Sequence, residues 1–315
     1  MILGLGRQLA RKGVLGINQR NADFILTHNP RSLYPRVDDK WLTKQLAVQA
    51  GMPVPELYAV VQIQHQVRRL AEQIRDYPDF VIKPACGAGG DGIVVVAGRM
   101  KTRYRKINGM LVDQGEMQHH VSNILSGMYS LGGRTDKALV EYRVQFDPVF
   151  ERISYQGVPD VRIIVFRGIP VMSMVRLPTR LSDGKANLHQ GAIGAGIDIA
   201  TGQTLTAVWR NEIVTEHPDT GNEVSGIQVP FWDEQLRMAA QCHELTGLGY
   251  LGVDLVLDKE KGPLMLEMNA RPGLNIQIAN SAGLLPRLRL VEQHHEGLHD
   301  IDQRVVFAKE HFGFK

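Results

Sequence analysis

Apolar and polar positions alternate in strand- and helix-length blocks along the chain, and the clearest block lies near its end. Tyr250–Leu257 and Leu264–Met268 are apolar runs flanking a charged turn, Asp258-Lys-Glu-Lys-Gly-Pro263. That pattern predicts a β-hairpin. Pairing Asp258 with Pro263 across the turn sets Asp254 opposite Glu267 and Gly252 opposite Asn269. Side chains on a strand alternate with period two, so Asp254, Glu267 and Asn269 share one face. Two carboxylates and an amide oxygen among Val, Leu and Met are expensive to bury without a cation. Hard oxygen donors in small number suit Mg²⁺ or Mn²⁺, completed by water and phosphate oxygens. A solvated antiparallel face with incidental acids is the other reading, which this stretch alone leaves open.

The remaining blocks predict a mixed architecture. A basic helical start runs to Lys12, and after the irregular Asn29–Pro35, Asp38 or Asp39 caps a helix with the stripe Leu42, Leu46 and Ala50. Leu57–Ile63 reads as a strand and Gln64–Arg75 as a helix with Val67, Leu70, Ala71 and Ile74 inward. Phe80–Lys83 and Ile93–Ala97 read as strands around the glycine-rich loop Pro84–Gly92, while Lys101–Gly115 is basic without a clear period. Gln118–Leu125 reads as a helix, Ala138–Val144 as a strand, and Val161–Phe166 with Pro170–Leu177 as a hairpin turning at Arg167-Gly168. Thr179–Gly196 reads as a long polar loop, Ile197–Val208 and Glu212–His217 as weaker strands. Phe231–Thr246 and the stretch around Leu284–His294 read as helices. Strands and helices interleave with many antiparallel connections, which makes the fold class α+β.

Composition narrows the function. The chain has 315 residues, 43% hydrophobic and 22% charged, ordinary values for a globular protein. A net charge of +3 and the absence of a dense Lys/Arg block with interleaved aromatics argue against nucleic acid as a partner. Cys86 and Cys242 form neither a disulfide framework nor a zinc spacing, and with no signal peptide they favour the reducing cytoplasm. No apolar run reaches the ~18–20 residues of a membrane helix. The basic N-terminal helix is either an ordinary surface helix or a docking element.

Lys83-Pro-Ala-Cys-Gly-Ala-Gly-Gly-Asp-Gly92 lies between two predicted strands. Glycines let backbone N–H groups approach phosphate oxygens, and Lys83 adds a point charge. The order differs from a Walker A loop, since the lysine precedes the glycines. A mobile β-turn is the plain alternative. Cys86 has no evident activating partner and reads as a small loop residue. The pairs His119-His120 and His294-His295 lack i,i+4 partners and read as surface residues.

In order and spacing these pieces resemble the ATP-grasp superfamily over residues ~38–285, above all the RimK-type α-L-glutamate ligases. Glutathione synthetase and D-alanine–D-alanine ligase are more distant likenesses. The resemblance implies two α+β subdomains clasping ATP between antiparallel sheets, at 39–142 and 143–295, with a tail at 296–315. Residues 1–38 stand where relatives carry a pre-grasp domain, which the resemblance therefore implies is truncated or absent here. It assigns Lys40, Lys83 and Arg176 to the phosphates and Gly87, Ala88, Gly89, Gly90, Asp91 and Gly92 to the phosphate flap. Glu141 would take the adenine amino group, the backbone at Tyr142 and Val144 the adenine edge, and Asp160 the ribose. Arg162 and Arg271 would orient the reacting carboxylate as catalytic residues. Lys185-Ala-Asn-Leu-His-Gln-Gly191 resembles an Arg-Ser-Asn-Leu-His-Arg-Gly loop, which puts Lys185, Asn187, His189, Gly273 and Asn275 on the substrate side. Lysine in place of arginine at Lys185 weakens any bidentate carboxylate grip. Asp254, Glu267 and Asn269 match the metal ligands, for two Mg²⁺ ions or Mn²⁺.

The implied activity is ATP-dependent carboxylate–amine ligation through an acyl phosphate, adding an amino acid such as glutamate to a peptide or protein acceptor. A partner protein, or a second subunit in a homodimer, would supply the missing wall. Two alternatives remain: an ATP-binding subunit without ligase activity, and a phosphoryl transferase that stops at the phosphorylated acceptor.

Overall fold

Two antiparallel sheets organise the protein, one in each of two units. The computed structural model describes residues 2–87 and 89–314. The smaller unit comprises Asp38–Gln45 and Val54–Val144, and the larger comprises Met1–Val37, Leu46–Pro53 and Gln145–Lys315.

The chain opens with α1 (Ile2–Arg11) and then reaches α2 (Lys40–Gln49), which Asp39 caps by accepting from the Trp41 and Leu42 amides at 2.9 and 3.2 Å. The small unit's strands are β1 (Leu57–Val61), β2 (Phe80–Pro84), β3 (Val94–Met100), β4 (Arg103–Lys106), β5 (Leu111–Val112) and β6 (Ala138–Glu141). Their order in the sheet is β1-β6-β2-β3-β4-β5, each neighbour antiparallel. One face is packed by Gln64–Val67, Leu70–Gln73 and α3 (Gln114–Leu125), around Phe80, Ile82, Met117, Ile124 and Val140. The expected single helix over 64–75 is thus two short ones, with Val67, Leu70 and Ile74 buried as its stripe requires. The basic stretch after Lys101 forms β4 and β5. Its period was hidden because most of its side chains face solvent on both sides, with Tyr104 alone buried among residues 101–111.

The large unit's strands are β7 (Asp160–Phe166), β8 (Ile169–Leu177), β9 (Ile193–Ile197), β10 (Thr204–Trp209), β11 (Glu212–Val214), β12 (Tyr250–Asp258) and β13 (Gly262–Asn269). Their order is β11-β10-β9-β8-β7-β12-β13, again antiparallel throughout. Every residue of β7 and β12 is buried, because helices including α4 (Trp232–Thr246) pack on them. The β7–β8 turn is made by Arg167 and Gly168, both at positive φ (50° and 77°), the tight-hairpin geometry expected there.

Three features depart from the sequence reading. β9 falls inside the stretch read as loop, because Gly194 and Gly196 interrupt its apolar pattern. A Cβ on Gly196 would lie 2.5 Å from the Ala279 carbonyl oxygen, so close packing requires the glycine there. The tail after residue 295 contains α6 (Ile301–Phe312), which follows α5 (Leu285–His294) and packs on β8 and α4 with Val305, Ala308 and Phe312 buried. Leu46–Pro53 belongs to the larger unit: the Pro53 carbonyl accepts from the Met265 amide at 2.8 Å, and Met52 is buried beside Cys242.

The β12–β13 hairpin pairs Asp254 with Glu267 and Gly252 with Asn269, as expected, but reaches that register differently. At the turn Asp258 pairs with Gly262 rather than Pro263, and a β-bulge between the Asp254 and Leu255 pairs inserts Leu266. The turn closes one residue early because Gly262 takes φ 71° and Asp258 Oδ1 accepts from the Glu260 and Lys261 amides, both at 3.0 Å. The bulge restores the count before the acidic pair.

Candidate functional site

In the large unit, register alone brings five charged residues to one sheet face. Asp254 pairs with both Arg162 on β7 and Glu267 on β13, and Asp160, two residues from Arg162, pairs with Arg176 on β8. Arg162 Nε and Nη2 donate to the two Asp254 carboxylate oxygens at 2.7 and 2.5 Å. Arg176 Nε and Nη2 grip Asp160 at 2.5 and 2.6 Å, and Nη2 also reaches Asp254 at 2.7 Å. Asp254 is fully buried, Asp160 and Arg162 nearly so, and Glu267 and Asn269 half-buried.

Burial opposes ionisation of Asp254, but Arg162 and Arg176 outweigh it and hold the carboxyl well below its usual range. Asp160 goes the other way: burial, reinforced by the Asp254 charge, overrides Arg176 and pushes it up to about 7. Burial works against the Arg176 cation, yet Asp160 and Asp254 hold its pKa above the ordinary value. Asp160, Asp254 and Glu267 thus gather beside Arg162 and Arg176, and the Arg176 cation feels the charge of all three carboxylates. Among the described residues no group of three or more His, Cys, Asp or Glu is placed to hold a metal ion. Of the three expected metal ligands, Glu267 and Asn269 are half-buried, whereas both Asp254 oxygens are engaged by Arg162 and Arg176. Asn269 also accepts from the Arg271 amide at 2.9 Å.

The small unit holds the complementary arrangement. Lys40 begins α2; its Nζ donates to the Gly87 carbonyl at 2.6 Å and its amide to Ala85 at 2.9 Å. One turn on, Lys44 Nζ donates to Glu141 Oε2 and to the Pro55 carbonyl, each at 2.5 Å, and Lys83 Nζ pairs with Glu141 Oε1. All three side chains are at most 7% exposed. Burial would raise the Glu141 carboxyl, but Lys83 and Lys44 hold it below its ordinary value. Burial lowers the Lys44 ammonium despite Glu141, with Lys83 adding to the fall. Both oxygens of Glu141, the residue expected at an adenine amino group, are engaged by lysines in a dry environment. Lys44 was missed, although its i,i+4 spacing from Lys40 was visible as a helical signal.

The glycine-rich segment is anchored at both ends. The Cys86 amide donates to both Asp136 oxygens at 3.1 and 3.0 Å, and Ser130, which bridges Gly87, also donates to Asp136 at 2.5 Å. Burial pushes the Cys86 thiol up to about 11, with Asp136 adding to the shift, so it is a protonated, unreactive group at neutral pH. At the far end His120 Nε2 meets the Gly92 carbonyl at 2.9 Å, so His120 is half-buried rather than a surface residue like His119. Gly89, Gly90 and Gly92 take positive φ (67°, 79° and 76°), as a phosphate-cradling turn needs. Gly87 and Asp91 lie in this segment, and Ala88 lies outside the described residues. At the end of β6, the Tyr142 amide donates to the Glu56 carbonyl at 2.8 Å, so that donor is already used, and Val144 is buried.

The loop between β8 and β9 carries Lys185, Asn187 and His189, and the stretch after β13 carries Arg271, Gly273 and Asn275. Asn187 Oδ1 accepts from the His189 amide at 3.0 Å, which makes it the cap of the short helix Leu188–Gln190. Lys185 is half-buried, whereas Gly273 is exposed, and Arg271 is exposed with its guanidinium 5.0 Å from the Tyr34 ring centroid. Asn275 and His189 come together at one cavity; Arg210, which sequence reasoning missed, lines it too.

A family model described as sugar-transfer associated ATP-grasp matches residues 19–293. The chain belongs to that family. As a sugar-transfer associated ATP-grasp protein it is similar to a probable alpha-L-glutamate ligase of Parasynechococcus marenigrum (strain WH8102), 23% identical over 239 residues, covering 76% of this chain and 37% of the relative. A second probable alpha-L-glutamate ligase, from Maridesulfovibrio salexigens, is 29% identical over 126 residues, covering 40% of this chain and 31% of the relative. The chain therefore spans about a third of the length of these curated relatives. Among solved structures, ATP-grasp ligase PsnB complexed with minimal precursor has a TM-score of 0.45 at 15% identity, covering 85% of this chain and 63% of that one. D-cycloserine synthetase DcsG has a TM-score of 0.43 at 17% identity, covering 86% and 73%. No helix among the described residues is long and apolar enough to cross a membrane.

Proposed function

We propose that this protein is an ATP-dependent carboxylate–amine ligase, with an amino acid such as glutamate and a peptide or protein as its substrates. The observation that carries the reading is the gathering of Asp160, Arg162, Arg176, Asp254 and Glu267 on one sheet face by the register of four strands. Such a carboxylate-rich face would suit a divalent cation, the cofactor that phosphoryl transfer from ATP requires. When bound, Mg²⁺ would neutralise the charge that develops on the phosphates.

A carboxylate does not accept an amine directly, because oxide is a poor leaving group. A carboxylate oxygen would attack the γ-phosphorus of ATP, forming the acyl phosphate as the bond to ADP breaks. The amine nitrogen would then attack the carbonyl carbon, phosphate would leave with the C–O bond electrons, and the amine proton would pass to solvent. Lys40, Lys83 and Arg176 would face phosphate oxygens, and the glycine segment would cover them. Arg162 and Arg271 would orient the acyl group. Tyr142 and Val144 would border the base through the chain at the end of β6, with Glu141 holding Lys83 in place. Asp160 would face the ribose when Arg176 turns to phosphate. Lys185, Asn187, His189, Gly273 and Asn275 would frame the acceptor. The protein's task is placement and charge compensation in a water-poor site.

The test is ADP release from purified protein with Mg²⁺-ATP and amino acids and short peptides added singly and in pairs, with products weighed by mass spectrometry. Release that needs one acid and one amine, with a product of their summed mass less water, upholds the reading. Release with a single acceptor that gains phosphate would make it a phosphoryl transferase. Binding of nucleotide without release under every pair would refute independent ligase activity.

A further inference from the structure

A cavity of about 550 Å³ opens in the large unit beside the loop after β8. Leu188 and Val208 form its aliphatic side, and Arg210, Asn211, His189 and Asn275 its polar side. No Asp or Glu lines it. Arg210 and Asn211 make the β10–β11 turn at φ 50° and 69°, a conformation that asparagine tolerates and arginine adopts only at a cost. The Arg210 guanidinium sits 5.9 Å from the Trp209 ring centroid and meets no carboxylate among the described residues. Trp209 is itself fixed, its Nε1 donating to the Gly191 carbonyl in the cavity wall at 2.9 Å. The result is an exposed guanidinium over the edge of a fixed aromatic ring, at a cavity whose lining carries no counter-charge.

The geometry points to Arg210 as the anchor for a carboxylate on the amine substrate. The occupant is an amino acid or the C-terminal residue of a short peptide, with its aliphatic part against Leu188 and Val208. One guanidinium with neutral amide neighbours suits a monoanion, which it grips in a planar, two-bonded fashion. The volume lies within the range of small-molecule sites. This rests on the ligase reading in taking the loop around His189 as the acceptor side.

The test is isothermal titration of the full chain with L-glutamate and with L-alanyl-L-alanine, each compared with its amidated form, and with inorganic phosphate. Each titration is run with and without Mg²⁺ and a non-hydrolysable ATP analogue. At least one carboxylate should bind at least ~10-fold more tightly than its amide, and Arg210→Ala should weaken it ~10- to 100-fold with Arg210→Lys recovering part. Equal affinity for acid and amide, no carboxylate binding in either condition, unchanged affinity in Arg210→Ala, or phosphate binding more tightly than both acids would overturn the assignment. Arg210-dependent carboxylate binding without ADP release upholds the cavity and sinks the ligase. Amine-dependent ADP release indifferent to Arg210→Ala does the reverse.

Discussion

Each unit buries a charged cluster, and the two are built in opposite ways, lysines around a carboxylate in one and carboxylates around arginines in the other. In the small unit Lys44 and Lys83 share the single carboxylate of Glu141, leaving positive charge in excess. In the large unit Arg162 and Arg176 hold Asp160 and Asp254, with Glu267 opposite Asp254 on the next strand. In the proposed reading the lysines of the small unit would meet phosphate and the acids of the large unit a metal ion.

The largest effects should come from removing a member of either cluster. Lys83→Ala and Glu267→Ala should each lower ADP release by ~10²–10³ or more; near-normal turnover in both would break the comparison and the ligase reading with it. Next comes stability. Glu141→Gln leaves two buried ammonium groups without their counter-ion and should cost ~3–5 kcal/mol, read by urea unfolding at pH 7. Asp160→Asn relieves a like-charge contact and should cost far less, or stabilise, at the same pH.

The same pair sharpens by pH, with opposite signs. The Glu141 carboxyl is lowered, so the stability it contributes is present above the ordinary carboxyl range and lost as pH falls through its lowered value. Asp160 is raised to about 7, so its contribution is full below the ordinary carboxyl pKa and lost as pH rises through about 7. Unfolding free energies from pH 3 to 8 should therefore lose their acid limb in Glu141→Gln and flatten between about pH 4 and 7 in Asp160→Asn. A wild-type profile with no fall toward pH 7 would contradict the raised Asp160 carboxyl.

Smaller effects test what holds the clusters in place. Lys44→Met leaves Lys83 paired with Glu141 alone, and should raise KM for ATP more than it lowers kcat, by roughly tenfold in steady-state assays. An unchanged KM would make Lys44 a purely structural lysine. Asp39→Ala removes the α2 cap and its 2.9 Å ion pair with Lys137, and should lower stability by ~1 kcal/mol in a thermal melt.

What the sequence disclosed tracks what is local. The Asp39 cap and the Arg167-Gly168 turn follow from capping chemistry and turn residues within a few positions, whereas the expected Asp254–Glu267 pairing is met only because a bulge offsets a turn that closes one residue early. The partnership of Lys44 with Glu141 spans 97 residues, and no local pattern announces which lysine of a helix will be buried against a distant strand. β9 was concealed by glycines that serve close packing, and Arg210 by a turn position that ordinarily selects asparagine or glycine. The double grip on Asp254 needed the joint register of β7, β8 and β12, a property of the sheet and of no single strand.

The bulge at Leu266 has a practical use. Because β13 is paired on one count near the turn and on another near Glu267, the exposed tip at Lys259-Glu260 stands on the far side of the phase change from the acidic residues. A fluorophore carried on the exposed side chain at Lys259 would leave the Glu260 and Lys261 amides on Asp258 to close the turn and Leu266 to keep the acids in step. The hairpin thus offers a labelling position through which the protein can be followed in living cells with its chemistry untouched.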